Sequence, residues 1–225
     1  MKIEKYIDHT NLKMEATKQD IVKLCEEAKK YNFKTVCVNP YYVSFAKSLL
    51  TDTEVEVCTV IGFPLGMNTT ACKVYEAKDA IKNGADEIDM VINVGALKDK
   101  EYDYVKEEIV KIKESIEDKL LKVIVETSLL TEDEIIMMTK ICSEAKAHFI
   151  KTNTGFGKRG VTGDDVKIMN AHKSKSLEIK ASGGIKNYEQ AKELIDYGAT
   201  RLGTSSGVLI VKGSKCNCEE CNCSK

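Results

Sequence analysis

The sequence lacks three features that would each point to a particular class of protein. Its 34 Lys and Arg residues nearly balance 35 Asp and Glu residues, giving a formal net charge of −1. Proteins whose main partner is nucleic acid usually carry a basic excess or stripe, so we expect no nucleic-acid partner. No apolar run approaches the roughly 18 residues of a membrane span, so we expect no membrane partner. The first residues lack the apolar core of a signal peptide, which predicts a cytoplasmic protein.

Histidine is scarce, and cysteine is unevenly spread. The three histidines, His9, His148 and His172, show no metal-ligand spacing. Five cysteines are scattered among apolar neighbours and are predicted to be small buried side chains in a reducing compartment. They are Cys25, Cys37, Cys58, Cys72 and Cys142. Cys37 ends a predicted strand, but no partner histidine is evident, which favours a structural thiol over a reactive one.

The remaining cysteines crowd the end of the chain, at Cys216, Cys218, Cys221 and Cys223. Two Cys-x-Cys pairs could supply four thiolates to Zn²⁺ or a similar soft metal, although structural zinc sites space their pairs more widely. A reduced, disordered tail is an equally open alternative. We predict one domain over residues 1–213 and a flexible Cys-rich tail over residues 214–225.

Short apolar runs alternate with stretches of helical periodicity along the chain. Thr17, Thr131 and Thr162 each precede an acidic residue by three positions, which is typical of helix starts. The apolar runs are 6–10, 35–38, 55–61, 87–92, 121–126, 148–151, 177–181 and 201–203. Strands that alternate with helices indicate parallel pairing and right-handed crossovers. Eight such units predict a single-domain closed (β/α)8 barrel, although roughly 250 residues is more usual.

The rival architecture is an open, doubly wound sheet. Such a sheet is expected to carry a glycine-rich fingerprint after its first strand. Residues 8–12 contain no glycine, which favours the barrel.

In a barrel of this kind the active site lies at the carboxyl ends of the strands. Polar residues at or near these ends are Asp8, Thr10, Asp89, Asn93, Glu126, Lys151, Lys180 and Ser182. Lys151 and Lys180 end adjacent strands, and if both point inward, each disfavours protonation of the other. A neutral amine is a nucleophile that forms a Schiff base with a carbonyl. Asp89 could hold and relay a proton.

Each of these residues also has a plainer interpretation. A lysine at the end of a strand is more often a solvated rim residue. Asp89 lies between Ile88 and Met90, as on the polar side of an alternating strand. Glu126 could orient Lys151 or merely cap its strand. The residues alone leave the catalytic and the structural interpretations open.

The loops after the seventh and eighth runs are rich in glycine and serine. Barrels often bind phosphate at these two loops and at the start of a short helix. Small residues there let backbone N–H groups approach an anion. The predicted phosphate-binding residues are Gly155, Gly183, Gly184, Gly203, Thr204 and Ser205. Each glycine-bearing loop could instead be a plain tight turn.

Seven motifs occur together in an order typical of one family. They are DHT (8–10), CVNP (37–40), GFPLG (62–66), EIDMVIN (87–93), FIKT (149–152), KASGGI (180–185) and RLGTS (201–205). On these motifs the chain resembles the bacterial deoxyribose-phosphate aldolases, over roughly residues 7–213.

The resemblance implies a reversible class I aldol reaction without a metal or cofactor. The reaction would cleave 2-deoxy-D-ribose 5-phosphate to D-glyceraldehyde 3-phosphate and acetaldehyde, in deoxyribose phosphate catabolism. Lys151 matches the family's Schiff-base lysine, Lys180 its second lysine and Asp89 its acid–base aspartate. The family commonly has serine where this chain has Asn153, which leaves the local turn and phosphate geometry open. The implied partners are small phosphorylated sugars and aldehydes, and further copies of the chain in a homodimer or higher homo-oligomer.

Two other functions stay open at this point. One is a different Schiff-base barrel lyase, or a transaldolase, acting on another sugar phosphate. The other is a non-catalytic phospho-ligand or metal-binding protein whose working part is the Cys-rich tail.

Overall fold

Strands and helices alternate along the chain in a computed structural model, which describes residues 2–215. The strands are β1 (Ile7–Asn11), β2 (Thr35–Val38), β3 (Glu56–Ile61), β4 (Glu87–Val91), β5 (Leu120–Ile124), β6 (Phe149–Lys151), β7 (Glu178–Ser182) and β8 (Arg201–Thr204). The α-helices are α1 (Lys18–Tyr31), α2 (Val43–Leu49), α3 (Thr70–Lys82), α4 (Val94–Lys98), α5 (Tyr102–Ser115), α6 (Glu132–Glu144), α7 (Gly163–His172), α8 (Tyr188–Asp196) and α9 (Gly207–Lys215). Short 3₁₀ turns lie at Ile3–Tyr6, Pro40–Tyr42 and Thr127–Leu129.

The strands form a closed parallel barrel in chain order. Each strand pairs with the next along the chain, and β8 pairs with β1, where Asp8 lies opposite Gly203. This closure confirms the predicted (β/α)8 barrel. Within residues 2–215, no helix is both long enough and apolar enough to cross a membrane.

The predicted helix starts are confirmed by their capping geometry. The hydroxyl of Thr17 accepts from the backbone N–H of Asp20, and the Asp20 carboxylate accepts from the N–H of Thr17 at 2.8 Å. The same reciprocal pairs cap α6 at Thr131 and α7 at Thr162. Each cap stabilises its helix by about 1 kcal/mol.

The sequence did not predict α4, a helix of five residues. The side chain of Asn93 caps it, accepting a hydrogen bond from the backbone N–H of Ala96 at 3.1 Å. Asn93, a polar strand-end candidate, is therefore a helix cap. A helix this short has no periodic apolar face that a sequence pattern could reveal.

The two faces of the strands have opposite chemistry. Successive side chains point alternately toward the helices and toward the barrel axis. Ile150 and Ile179 point outward into the apolar core under the helices and are fully buried. Their chain neighbours Lys151 and Lys180 are buried in the barrel interior. The helix-facing layer thus supplies hydrophobic stabilisation, about 1.5–3 kcal/mol for each fully buried large side chain.

Most of the scattered cysteines are buried as expected. Cys25, Cys37, Cys58 and Cys142 are buried, but Cys72 is exposed, because the buried face of α3 is built from Lys73, Ala77 and Ala80. At the end of the chain, α9 continues to Lys215, two residues past the predicted boundary at 213. The cysteines of the predicted tail lie outside the described residues.

Candidate active site

Two lysines share one carboxylate inside the barrel. Lys151 on β6 lies directly opposite Lys180 on β7. The Nζ atoms of both lysines donate to Oδ2 of Asp89, each at 2.7 Å. The side chain of Lys151 is only 4% exposed, and those of Lys180 and Asp89 are fully buried. Both lysines therefore point into the barrel, toward the aspartate on β4.

Further charged side chains extend this arrangement below Asp89. We call the set the charged interior cluster: Asp8, Glu87, Asp89, Lys122, Lys151, Lys180 and Arg201. Lys122 donates to Oδ1 of Asp89 at 2.7 Å and lies 2.6 Å from Glu87. Arg201 donates to Asp8 at 2.8 Å and to Glu87 at 2.9 Å. Every carboxylate of the cluster thus contacts more than one cation.

The cluster holds one more basic group than acidic groups. Its cations are Lys122, Lys151, Lys180 and Arg201, against the carboxylates of Asp8, Glu87 and Asp89. With all seven groups ionised the cluster carries a charge of +1, and burying an uncompensated charge is costly. A neutral amine on one lysine balances the cluster. Lys151 is the lysine of the cluster that lines the open cavity described below.

The protonation states of Asp89 and Lys180 follow from these contacts. Burial raises the pKa of Asp89, but Lys122, Lys151 and Lys180 together hold it well below its ordinary value. Burial lowers the pKa of Lys180, but Asp8 and Asp89 outweigh burial and raise it above its ordinary value. The expectation that a neighbouring lysine leaves Lys180 easier to deprotonate is therefore wrong, because two carboxylates face the same amine.

A cavity of about 740 Å³ opens above Lys151. It lies at the carboxyl ends of the strands, between the loops that follow β1, β6, β7 and β8. All the predicted phosphate-binding residues line it: Gly155, Gly183, Gly184, Gly203, Thr204 and Ser205. The structure therefore brings the lysine amine and the small-residue loops to one space.

The backbone of these loops needs glycine. Gly155, Gly183 and Gly184 have φ angles of +89°, +94° and +81°, a region in which an L side chain is strained. The loop after β8 leads directly into α9, whose first turn carries unpaired N–H groups and a partial positive charge. This end of the cavity can accept an anion.

Thr204 joins two loops of the cavity wall through its hydroxyl. Its Oγ1 donates to the carbonyl of Ile185 at 2.7 Å and accepts from the N–H of Ser206 at 2.9 Å. The side chain thus ties the loop after β8 to the loop after β7. Ser205 is exposed beside it, so its hydroxyl is free to meet a ligand.

Comparison with known proteins agrees with this arrangement. The family model described as DeoC/LacD family aldolase matches residues 2–212.

The chain belongs to the DeoC/LacD aldolase family.

Two curated relatives resemble the aldolase over nearly its whole length. It is 54% identical over 217 residues to deoxyribose-phosphate aldolase of Lactococcus lactis subsp. lactis, covering 96% of this chain and 99% of that protein. It is 55% identical over 212 residues to deoxyribose-phosphate aldolase of Clostridium botulinum, covering 94% and 100%. Among solved structures, the tetrameric deoxyribose phosphate aldolase of Aeropyrum pernix superposes with a TM-score of 0.87 at 29% identity, covering 95% of this chain and 91% of that one.

Glu126 of the aldolase orders a loop. Its carboxylate accepts from Nδ2 of Asn153 and from the backbone N–H of Thr154, both at 3.0 Å, and from the hydroxyl of Ser128 at 2.6 Å. Of the two interpretations left open by the sequence, the contacts favour a structural one. The carboxylate shapes the turn that follows Lys151 rather than holding the lysine amine.

Asn153, where the family commonly has serine, uses both ends of its side-chain amide in this turn. While Nδ2 donates to Glu126, Oδ1 accepts from the hydroxyl of Thr127 at 3.1 Å. Ser182 contacts the same segment, donating from its hydroxyl to the carbonyl of Asn153 at 2.6 Å. Thr10 lines the cavity and donates to the backbone carbonyl of Asp8 at 2.8 Å.

Sequence reasoning missed Glu87, Lys122 and Arg201 of the charged interior cluster. A search restricted to the carboxyl ends of strands excludes them, because Glu87 and Arg201 begin β4 and β8 and Lys122 lies in the middle of β5. A usable signal was present for Lys122. It lies between Leu121 and Val123, a charged residue within an apolar run.

Proposed function

We infer that this chain is a deoxyribose-phosphate aldolase, with Lys151 as the amine that forms the Schiff base. It reversibly cleaves 2-deoxy-D-ribose 5-phosphate to D-glyceraldehyde 3-phosphate and acetaldehyde. The relatives at 54% and 55% identity support the reaction. The observation that carries the residue assignment is the placement of Lys151 at the cavity, 2.7 Å from a carboxylate that a second lysine also holds.

In the first step the neutral amine of Lys151 attacks C1 of the open-chain aldehyde. Loss of water from the carbinolamine gives a protonated imine on Nζ. Asp89 stabilises this cation, because its ionised carboxylate faces the lysine nitrogen at 2.7 Å. Lys122 and Lys180 hold the pKa of Asp89 low, so the carboxylate remains charged at neutral pH.

The carbon atoms of the two products identify the bond that breaks. Acetaldehyde keeps C1 and C2 of the sugar, so cleavage occurs between C2 and C3 rather than between C3 and C4. A base removes the proton of the C3 hydroxyl, the C3 carbonyl forms, and the bonding electrons enter the imine to give an enamine. Protonation of the enamine at C2 and hydrolysis then release acetaldehyde and regenerate Lys151.

Asp89 and Lys180 fit the two halves of the proton transfer. The low pKa of Asp89 keeps its carboxylate ionised and the raised pKa of Lys180 keeps its amine protonated, so the first can accept a proton and the second carries one. Their contact at 2.7 Å is an ion pair that keeps both groups charged. We propose that water in the cavity carries the proton to and from the substrate.

We propose that the loops of the cavity wall bind the 5-phosphate. Backbone N–H groups of the glycine loops at Gly155, Gly183, Gly184 and Gly203, with the hydroxyl of Ser205, would meet the phosphate oxygens. Thr204 holds the two loops in register.

Trapping the imine tests the assignment. Borohydride is added to the full chain with acetaldehyde, and the protein is digested and mapped by mass spectrometry. We expect an ethyl group on Lys151, and none in the Lys151→Met control. An active enzyme with no ethyl group at this position would contradict the role of Lys151. A three-carbon adduct formed from a ketose phosphate, in place of the two-carbon one, would favour a transaldolase.

We propose that one catalytic domain spans residues 1–213 and that the reaction does not need the Cys-rich residues after Lys215. Because α9 continues to Lys215, the truncation is best made after that residue. We expect the truncated protein to keep full activity relative to the full chain. A complete loss would favour the alternative in which the tail is the working part.

The proposed partners also include further copies of the chain, in a homodimer or higher homo-oligomer. The tetramer described for the Aeropyrum pernix relative supports this proposal. Light scattering after size-exclusion chromatography measures the assembled mass, and a monomer at micromolar concentration would contradict it. A cytoplasmic location is proposed as well, and cell fractionation checks it.

A further inference from the structure

Two thiols stand beside the charged interior cluster, and the proposed reaction uses neither. Cys37 on β2 lies directly opposite Cys58 on β3. Both side chains are fully buried and pack with Leu12 and Val60. The two sulfur atoms and a carboxylate oxygen of Asp89 all lie within 4.8 Å of one another. Paired positions on neighbouring strands have thus placed two cysteines next to an aspartate of the proposed site.

We propose that Cys37 and Cys58 form an oxidation site, at which a cross-strand disulfide reversibly slows the aldolase. Neighbouring strands lie about 4.7–4.9 Å apart, and disulfides join Cα atoms about 4.4–6.8 Å apart, so the bond needs little backbone movement. Leu12 both lines the cavity and packs against the pair, so a small oxidant that enters the cavity has only a short distance to travel.

The surroundings give the two thiols different reactivity. The neighbouring Cys58 thiol lowers the pKa of Cys37. Burial and the charge of Asp89 oppose this, while Lys180 and Lys151 add to it, so the net shift is downward. Burial has the largest effect on Cys58 and, together with the neighbouring Cys37 thiol and the charge of Asp89, raises its pKa well above the ordinary value. The thiolate is the reactive form of cysteine, which makes Cys37 the attacking sulfur and Cys58 the resolving one.

Hydrogen peroxide can form the disulfide in two steps. The Cys37 thiolate attacks one oxygen of hydrogen peroxide, the O–O bond breaks, and Cys37 sulfenic acid and hydroxide form. The Cys58 sulfur then attacks the sulfenic sulfur, the S–S bond forms, and the thiol proton and the departing hydroxide leave as water. Two electrons pass from the sulfurs to the peroxide, and a dithiol reductant returns them.

Disulfide formation changes the contacts of Asp89. In the reduced protein the Cys58 thiol donates to Oδ1 of Asp89, and the Lys122 amine donates to the Cys58 sulfur, both at 3.2 Å. A disulfide has no S–H, so Asp89 loses a donor. The effect on turnover rests on the proposed function, in which Asp89 moves protons. Loss of one hydrogen bond to a charged group corresponds to about a tenfold change, so we expect turnover to fall about tenfold.

The experiment treats the full chain with hydrogen peroxide, alkylates the remaining thiols and maps the disulfides in a non-reducing tryptic digest. Cys37 falls in residues 35–47, whereas residues 48–73 contain both Cys58 and Cys72. A Cys72→Ser background therefore assigns the bond to Cys58. The tail cysteines fall in residues 216–225 and are mapped separately. We expect residues 35–47 to be linked to residues 48–73.

Matched variants connect the bond to turnover. Cys142 is a buried thiol whose pKa burial raises, so Cys142→Ala is the control for removing a buried cysteine. The wild type and Cys142→Ala should each lose about tenfold in turnover with peroxide and regain it with dithiothreitol. Cys58→Ala and, independently, Cys37→Ala should show neither the linked peptide nor a dithiothreitol-reversible loss.

Several outcomes would overturn the proposal. These are an absent link while the tail peptide oxidises, a link with unchanged turnover, and the same reversible loss in both alanine variants. A reduced chain without aldolase activity would instead contradict the proposed function, and the linked peptide would still decide whether the disulfide forms.

Discussion

The two faces of the barrel strands contribute differently, one to stability and the other to the proposed chemistry. The helix-facing side chains, such as Ile150 and Ile179, are apolar and stabilise the fold by removal from water. The axis-facing side chains include the charged interior cluster, whose burial costs desolvation that ion pairing offsets only in part. Stability and chemistry are therefore divided between alternate residues of the same strands. The predictions below test that division, from the largest effect to the smallest.

The sharpest test compares two neighbours in β6. Lys151→Met removes the nucleophile, so kcat should fall about 10⁴-fold or more, while stability is largely kept because Asp89 retains its contacts with Lys122 and Lys180. Ile150→Ala should lower the free energy of unfolding by about 2–5 kcal/mol and leave kcat nearly unchanged. Steady-state kinetics and urea unfolding measure both. Equal loss of stability in the two variants would remove the distinction between the faces.

Asp89→Asn should damage both properties, because this carboxylate compensates buried cations. We expect a loss of about 3–5 kcal/mol in the free energy of unfolding and about 10²–10⁴-fold in kcat. The folded pKa of Asp89 lies below its ordinary value of 3.8, so its stabilisation is fully present above that value and is lost only as the pH falls through the folded pKa.

Unfolding of the wild type and of Asp89→Asn across a pH series checks this sign. The stability difference should stay constant from about pH 5 to about pH 8 and shrink only in stronger acid. A difference that shrinks near neutral pH would contradict the low pKa of Asp89.

Lys180→Met should have a smaller but distinctive effect. It removes the proposed proton donor, which should lower kcat about 100-fold. Lys192→Met, on the surface of α8, is the matched control and should leave kcat unchanged. Undiminished turnover of Lys180→Met at neutral pH would refute the donor role.

The smallest change is expected at the cavity wall. Ser205→Ala removes one proposed hydroxyl contact to the phosphate, so KM for 2-deoxyribose 5-phosphate should rise about threefold to tenfold. The same variant should treat unphosphorylated 2-deoxyribose as the wild type does. An equal loss with both sugars would show that the serine does not bind phosphate.

The barrel was predictable from sequence because its signal is local. Apolar runs, helix caps such as Thr17, and the strand–helix alternation can be read one segment at a time. The cluster was only partly predictable, because its contacts depend on register between strands. The pair of lysines suggested easier deprotonation of Lys180, but Asp8 and Asp89 reach that amine only in the closed barrel.

The loop partners were hidden for a similar reason. Glu126 is satisfied by Asn153 and Thr154, which belong to the segment after the next strand. That Cys37 lies opposite Cys58 likewise follows only from the pairing register of β2 and β3, which the sequence does not show. A single sequence shows which residues carry chemistry, whereas the barrel decides which of them meet.

The contact between Asp8 and Arg201 has a consequence for how the protein is made. These residues are 193 positions apart in the chain, on the strands that close the barrel. At about 5–20 residues per second, a ribosome needs about 10–40 s to deliver the arginine after the aspartate. Until then a buried Asp8 would lack one of its counterions, and this penalty disfavours closure of a shortened barrel. The salt bridge thus favours the complete barrel over a shortened one.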